Sequence, residues 1–379
     1  MIHVNGNPYL RLDVVGKGGS SKVFRVLGKD LGVYALKRIR LSRMDRASLA
    51  SYTNEIALLR RLRHGRHIVQ LREAQVDIGT KTIYVVMELG ETDLHGLLKR
   101  ERTAAKERED ELDRLRAGAS GGANSRRGGA ASPTAADRVP AETVGTGGLD
   151  ENFIRLIWQQ MLLGVRAIHE ARVVHGDLKP ANFVFVAGVL KLIDFGIAKA
   201  ISADTTNIYR ETQVGTINYM SPEAILDTSA QAGGSAAAAK HRGMRMRVGR
   251  ASDIWSLGCI LYLMVYGRTP FADLSLIQKL RCITDETYEI PFPELPTRHR
   301  PLLDVMMACL RRDPRDRPNI DGRSGLLEHG FLRPGEHEDE GASSGKQYLT
   351  EGQVAVDKAT VESAAAALTA LPVITAMAG

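Results

Sequence analysis

The chain has 379 residues, 44% hydrophobic and 25% charged, with a formal net charge of +7. A chain of that length buries roughly 75% of its unfolded surface and builds a core without disulfides, with room for two lobes around a cleft. Cys259, Cys282 and Cys309 are odd in number, far apart and free of CxxC spacing, which excludes a disulfide scaffold and points to reduced thiols in an intracellular compartment.

The opening MIHVNGNPYLRLD lacks the charged start and apolar stretch of a secretory signal, so export is not expected. Strand patterns follow in YLRLDVV, KVFRVLG and VYALKRI, separated by Gly-rich turns. A helical pattern runs from Ser48 to Arg63, with Ile56, Leu59 and Leu62 apolar, and IYVVMEL reads as a further strand. These elements predict a small sheet carrying one helix.

Residues 101–148 break the pattern. The charged run ERTAAKEREDELDRLR has helical character, and AGASGGANSRRGGAASPTAAD is too poor in large apolar residues to offset the cost of ordering a backbone. Beyond it, FIRLIWQQMLLGVRAIHE places Ile154, Ile157, Met161, Val165 and Ile168 on one helical face. A second break at 228–249 contains SAQAGGSAAAAK and the basic run KHRGMRMRVGR. That run lacks interleaved aromatics and reads as a solvated loop or a dock for an acidic partner, not as a nucleic-acid site. Both breaks read as surface insertions, since each doubling of loop length costs only about 0.6 kcal/mol. The polar stretch GEHEDEGASSGKQ ends the globular part near Arg333, and the Ala-rich tail after it is not expected to anchor in a membrane. The overall expectation is an α+β fold with a β-rich lobe followed by a larger helical lobe.

Several motifs carry chemistry. In GKGGSSKVF, Gly16, Gly18 and Gly19 lie between two strand patterns, where backbone N–H groups approach a phosphate that side chains would block. A strand follows them, and not the helix that a dinucleotide fold requires. Lys37 stands in YALK and Glu55 on the predicted helix. The gap-free run VVHGDLKPANFVFVAGVLKLIDFG holds Asp177, Lys179, Asn182 and Asp194, a candidate base, a phosphate-binding lysine and two metal ligands. A magnesium nucleotide and a hydroxyl acceptor together need such a set, so the run points to phosphoryl transfer.

These motifs together resemble the protein kinases over about residues 9–332. The resemblance implies a bilobal kinase domain at 8–333, with an N-lobe at 8–90, a C-lobe at 91–333 and a flexible tail at 334–379. It implies that Lys37 contacts the α and β phosphates of ATP and is held by Glu55, and that Asp177 takes the proton of the acceptor hydroxyl. Lys179 would neutralise γ-phosphate charge, while Asn182 and Asp194 would hold Mg²⁺. Val23, Ala35 and Val184 match adenine-packing positions and Met87 the gatekeeper. The Glu88 carbonyl and Gly90 N–H would meet the adenine edge, with Asp93 near the ribose.

The same resemblance implies that Thr216 bonds Asp177 and Lys179, that Glu223 pairs with Arg317, and that Asp253 caps the catalytic loop. Gly176 stands where kinases carry the arginine that reads an activation phosphate, so phosphates on Thr205 or Thr206 would act through another basic group such as Arg210.

GGSSKVF, DLKPANF, LIDFGIA, the DTT pair, QVGTINYM and WSLGCILY are similar to the monopolar spindle (TTK-like) kinases. That likeness implies a dual-specificity enzyme of the mitotic checkpoint, acting on protein substrates, among them kinetochore or spindle proteins, and self-associating for autophosphorylation. It implies an intracellular location, in nucleus or cytoplasm and at the kinetochore or spindle, with neither nucleic-acid nor membrane binding. Leu89, Gly176 and Ser221 depart from that family's usual residues. A general Ser/Thr kinase and a pseudokinase scaffold are the alternatives, and the presence of Lys37, Asp177 and Asp194 together argues against the scaffold.

Overall fold

Alternation along three adjoining strands decides which side chains reach the cleft. In the computed structural model, which describes residues 1–17, 21–40, 53, 56–120, 143–144, 148–194, 216–231 and 249–333, the N-terminal region is a six-stranded antiparallel sheet. Its strands are β1 (Ile2–Val4), β2 (Asn7–Lys17), β3 (Ser21–Gly28), β4 (Val33–Arg40), β5 (Leu71–Asp77) and β6 (Thr82–Glu88), in the order β1-β2-β3-β4-β6-β5. Phe24, Val26, Leu36 and Val86 join Val4 and Tyr9 in a small core on one face. Side chains alternate across a pleated sheet, so Val23, Ala35, Lys37 and Met87 point to the other face.

The four strands read from the sequence are present as β2, β3, β4 and β6. Two others were not legible: β1 is three residues long, and β5 (LREAQVD) buries only Ala74 and so shows no apolar alternation. Asn5 ties these two edge strands together, its backbone N–H donating to Gln75 Oε1 at 2.6 Å and its side-chain amide to Ala74 O at 3.1 Å. The sheet thereby curls toward closure. Within the expected helix at 48–63, residues 56–61 are helical, with Ile56 and Leu59 buried.

After β7 (Thr92–Asp93), helix α1 (Leu94–Ser120) begins with Leu94, Leu97 and Leu98 buried, and from Lys106 to Leu115 every residue is exposed. The charged run at 101 therefore continues a helix rooted in the core. A two-residue pairing of β8 (Thr143–Val144) with β9 (Leu149–Asp150) leads into α2 (Glu151–Glu170), where Asp150 accepts the N–H groups of Asn152 and Phe153 as N-cap. Hairpin β10 (Phe183–Val186) and β11 (Val189–Leu192) follows, with Ala187 and Gly188 at positive φ in its two-residue turn.

The remaining helices are α3 (Pro222–Gln231), α4 (Arg250–Tyr266), α5 (Leu276–Thr284) and α6 (Arg300–Cys309). Helix α4 is buried without a break from Ser252 to Tyr262, which is why its apolar residues are spread around the whole circumference and not confined to one stripe. Among the described residues no helix is long and apolar enough to cross a membrane.

Candidate active site

Two backbone links bring the sheet over the hairpin. Val69 N–H donates to Leu192 O at 3.1 Å, and Leu192 N–H to His67 O at 2.9 Å. Asp194 lies two residues beyond Leu192 and is thereby carried under β4, where its carboxylate pairs with Lys37. Asp194 has φ 56°, a left-handed conformation that aspartate tolerates better than most residues and that concentrates at functional sites. Glu55, the expected partner of Lys37, lies outside the described residues, as do Gly18 and Gly19. Gly16 is described, directly opposite Val23.

The loop between α2 and β10 hangs on one carboxylate. Asp253, fully buried near the start of α4, accepts His175 N–H at 2.9 Å and Gly176 N–H at 2.7 Å, and sits 2.8 Å from His169 Nε2. The expected cap is therefore present. Gly176 has φ 68°, a conformation in which a β-carbon meets the following carbonyl at a cost of roughly 1–2 kcal/mol. Sequence reasoning saw only a missing arginine at this position. The backbone supplies a reason for glycine itself.

Asp177 follows, its N–H donating to His175 Nδ1 at 3.2 Å. Burial pushes the His175 pKa down, which keeps the ring neutral and able to accept that bond. Lys179 Nζ is 3.2 Å from Asp177 Oδ2 and 3.4 Å from Thr216 Oγ1, so one ammonium bridges the loop and the segment beginning at Thr216. Asn182 is 6% exposed, and its buried side-chain oxygen has no hydrogen-bond partner among the described residues. Its backbone carbonyl accepts Ile193 N–H at 2.8 Å, which holds Asn182 beside the residue that precedes Asp194. An orphaned hard oxygen on a residue whose backbone is bonded to the neighbour of Asp194 is the type of donor Mg²⁺ takes, so the Asn182 and Asp194 pair fits that ion in chemistry.

Three of the four positions expected to pack on adenine or guard it lie on one face of the sheet, and the fourth lies on β10. Val23, Ala35 and Met87 share the inner face of the sheet, and Val184 pairs with Asp93 across β10 and β7. A β-carbon on Gly90 would sit 2.8 Å from that of Val184, so glycine lets the linker between the lobes close onto the hairpin. The side chain of Glu88 has a role the sequence did not disclose: its carboxylate takes Lys191 Nζ at 2.7 and 2.8 Å and Gln70 N–H at 2.9 Å, fastening the linker to β11. One oxygen of Asp93 accepts Gly96 N–H at 2.7 Å and so caps α1.

Opposite the catalytic loop, Glu223 and Arg317 form the expected pair, bidentate at 2.7 and 2.9 Å, with side chains 3% and 0% exposed. Burial alone would raise the Glu223 pKa, but hydrogen bonds from Arg317 and Ser252 hold it below its ordinary value. Ser221, buried two residues before Glu223, has a hydroxyl without a partner among the described residues and lines a cavity of about 10 Å³ next to Asp177. Thr205, Thr206, Arg210 and the tail at 334–379 lie outside the described residues.

Comparison with known proteins agrees with this geometry. The family model described as the protein kinase domain matches residues 9–114 and 140–332. The probable serine/threonine-protein kinase mps1 of Dictyostelium discoideum is 45% identical over 87% of this chain and 28% of its own length. The serine/threonine-protein kinase mph1 of Schizosaccharomyces pombe is 41% identical over 86% of this chain and 43% of its own. The dual specificity protein kinase TTK of Mus musculus is 38% identical over 92% of this chain and 34% of its own. The chain thus spans less than half the length of these relatives. Their names match the spindle-kinase likeness carried by the sequence motifs.

Proposed function

The chain belongs to the protein kinase family, and from that premise we propose that it transfers the γ-phosphoryl group of ATP to serine and threonine hydroxyls of proteins, and occasionally to tyrosine. The observation that carries this reading is the chain Asp177–Lys179–Thr216, which joins a carboxylate, a cation and the segment where an acceptor would lie. Asp177 accepts the hydroxyl proton while the acceptor oxygen bonds to the γ-phosphorus and the bond to the bridging oxygen of ADP breaks. Lys179 neutralises charge on the transferred group. Lys37 orients the α and β phosphates, with Val23, Ala35, Met87 and Val184 around adenine and Glu88, Gly90 and Asp93 along its edge and ribose. Asn182 and Asp194 would hold Mg²⁺, which when bound would supply charge neutralisation at the phosphates.

The kinase domain is assigned to 8–333, with surface insertions at 101–148 and 228–249. The relatives' names support mitotic spindle-checkpoint or kinetochore signalling as the setting, with kinetochore or spindle proteins as substrates and self-association for autophosphorylation. The test is ³²P transfer from ATP with Mg²⁺ to a generic Ser/Thr substrate and to the protein itself, comparing wild type with Asp194→Asn. Loss of one charge-stabilising group is expected to lower the rate about 100- to 1,000-fold. Equal background signal from both proteins refutes the transfer reading.

A further inference from the structure

The helix at 56–61 runs out into the basic sequence RRLRHGRH, residues 60–67. Arg60, Arg61, Arg63, His64 and Arg66 are all exposed, and among the described residues none of the four arginines pairs with a carboxylate. The helix dipole favours cations in a last turn, but Arg63, His64 and Arg66 lie beyond it. Arg61 Nη2 donates to Ala171 O at 2.7 Å, which sets the exposed Arg172 beside the run. Burial lowers the His67 pKa, and the charges of Arg66, Lys191 and Arg166 lower it further, so positive charge from the run and from α2 meets at one ring. Two carboxylates on that side, Glu170 and Asp321, are engaged by Arg166 at 3.6 and 3.5 Å. The surface is therefore a concentration of like charge that favours an anionic partner.

The chain carries a segment of matching charge. Glu336, Glu338, Asp339 and Glu340 begin three residues after Arg333, where the described residues end. Helix α2 measures the path back. Asp321 sits at Arg166 and Phe331 O accepts Arg155 Nε at 2.7 Å, so residues 321–331 run along α2 from its last turns toward its first. From Arg155 to Ala171 that helix rises about 24 Å. The residues from Leu332 to Glu340, fully extended, reach about 30 Å. The acidic segment can thus return along α2 to the basic surface. Nucleic acid has the right sign of charge, but residues 60–67 hold no Phe, Tyr or Trp for stacking, and one short loop meets few phosphates.

We propose that the basic surface of Arg60, Arg63, Arg66 and Arg172 docks the acidic segment 336–340 of the same chain, strapping it across the junction between the helix at 56–61 and α2. Each exposed pair is weak alone and screened by salt. The short tether to Arg333 supplies the effective concentration at which several act together. Docking here is independent of phosphoryl transfer, and its test needs no activity.

The test places a reporter pair, Arg63→Cys with Glu338→Cys, in the full chain and measures the effective concentration of the two thiols against a glutathione redox buffer, with the disulfide identified by mass spectrometry. An intramolecular disulfide is expected, with an effective concentration about 10-fold lower in 0.5 M than in 0.02 M NaCl. Reversing the surface (Arg60→Glu with Arg66→Glu) should lower it by a similar factor, and so should reversing the segment (Glu336→Lys, Asp339→Lys and Glu340→Lys). All the substituted arginines are exposed, and combining both reversals should return the value to within about 2-fold of the parent, which a misfolded protein would not do. An effective concentration indifferent to salt and to either reversal overturns the dock. So does a disulfide found only between two copies, which would assign the surface to a second chain, or a value that the combined reversal leaves as low as the single ones.

Discussion

Replacing Glu223 by alanine tests whether the acceptor segment is held by one buried ion pair. Arg317 uses every guanidinium N–H: Nε to Arg311 O at 2.6 Å, Nη1 to Glu223 Oε1 at 2.7 Å and Ala251 O at 2.8 Å, Nη2 to Glu223 Oε2 at 2.9 Å and Arg312 O at 2.8 Å. Its carbon Cζ lies 5.1 Å from the Trp255 ring centre, and among the described residues Glu223 is the one carboxylate paired with it. Ser252 Oγ–H, 2.7 Å from Glu223 Oε1, would lose its partner as well. Removing one member of a buried pair costs roughly 3–5 kcal/mol, because the other charge stays buried and uncompensated. In a domain of this size that corresponds to a fall in Tm on the order of 10 °C. Urea unfolding of wild type, Glu223→Ala, Arg317→Met and the double variant gives the coupling, expected to be about 2 kcal/mol with the double variant less damaged than the sum. Peptide kinase activity should fall further than the folded fraction does, since Glu223 stands at the end of the segment that carries Thr216. A loss under about 1 kcal/mol in the single variant, the size seen at exposed pairs, refutes the argument.

Gly176→Ala is expected to cost about 1 kcal/mol in urea unfolding, from its left-handed backbone, and an unchanged midpoint would remove the reason given for glycine there. Lys191→Met severs Glu88 from β11 and should raise KM for ATP severalfold, as loss of about 1 kcal/mol implies, with a smaller change in kcat; an unaltered KM would mean that this bond does not set the linker. Burial holds His67, His175 and His329 below the ordinary histidine pKa. Each therefore binds a proton more readily unfolded than folded, so its stability contribution is full above about pH 6.5 and is lost as pH falls below that value. The urea midpoint should be lower at pH 5.5 than at 7.5, and His175→Gln should flatten the dependence.

The parts of the fold that were legible in the sequence are those whose side chains alternate between water and core. Strand β4 shows this well: Leu36 packs in one core, Ile39 in the other, and Lys37 between them faces the cleft. β5 was illegible because its residues are mostly polar and half-exposed, and its place at the sheet edge is settled by pairing with β6. The candidate site residues are legible because Asp177, Lys179, Asn182 and Asp194 lie in one short run. What the run does not contain is the set of contacts that hold it, such as Glu88 with Lys191 and Asn218 with Lys279, separated by 103 and 61 residues. No local pattern marks a partner so distant. For Gly176 a signal did exist, since glycine in a loop is a cue to positive φ.

Among the described residues no strand pairing joins the loop of Asp177 to the segment of Thr216, yet both side chains stay within reach of one ammonium. Helix α4 resolves this. Asp253 fixes the backbone on the Asp177 side, Ala251 and Ser252 hold Arg317 and Glu223, and Ser256 holds the Tyr219 carbonyl. These four residues lie on two successive turns of one helix, so both loops are referenced to the same rigid body. The helix is buried around its circumference by Ile254, Trp255, Leu257, Ile260 and Leu261, and opening it would require something close to global unfolding. Polar residues at the start of an otherwise apolar helix are costly there unless each finds a partner. Here Asp253, Ser252 and Ser256 find partners in the backbone of His175 and Gly176, in Glu223 and in the Tyr219 carbonyl, so burial of α4 converts core stability into the spacing between the base and the acceptor segment.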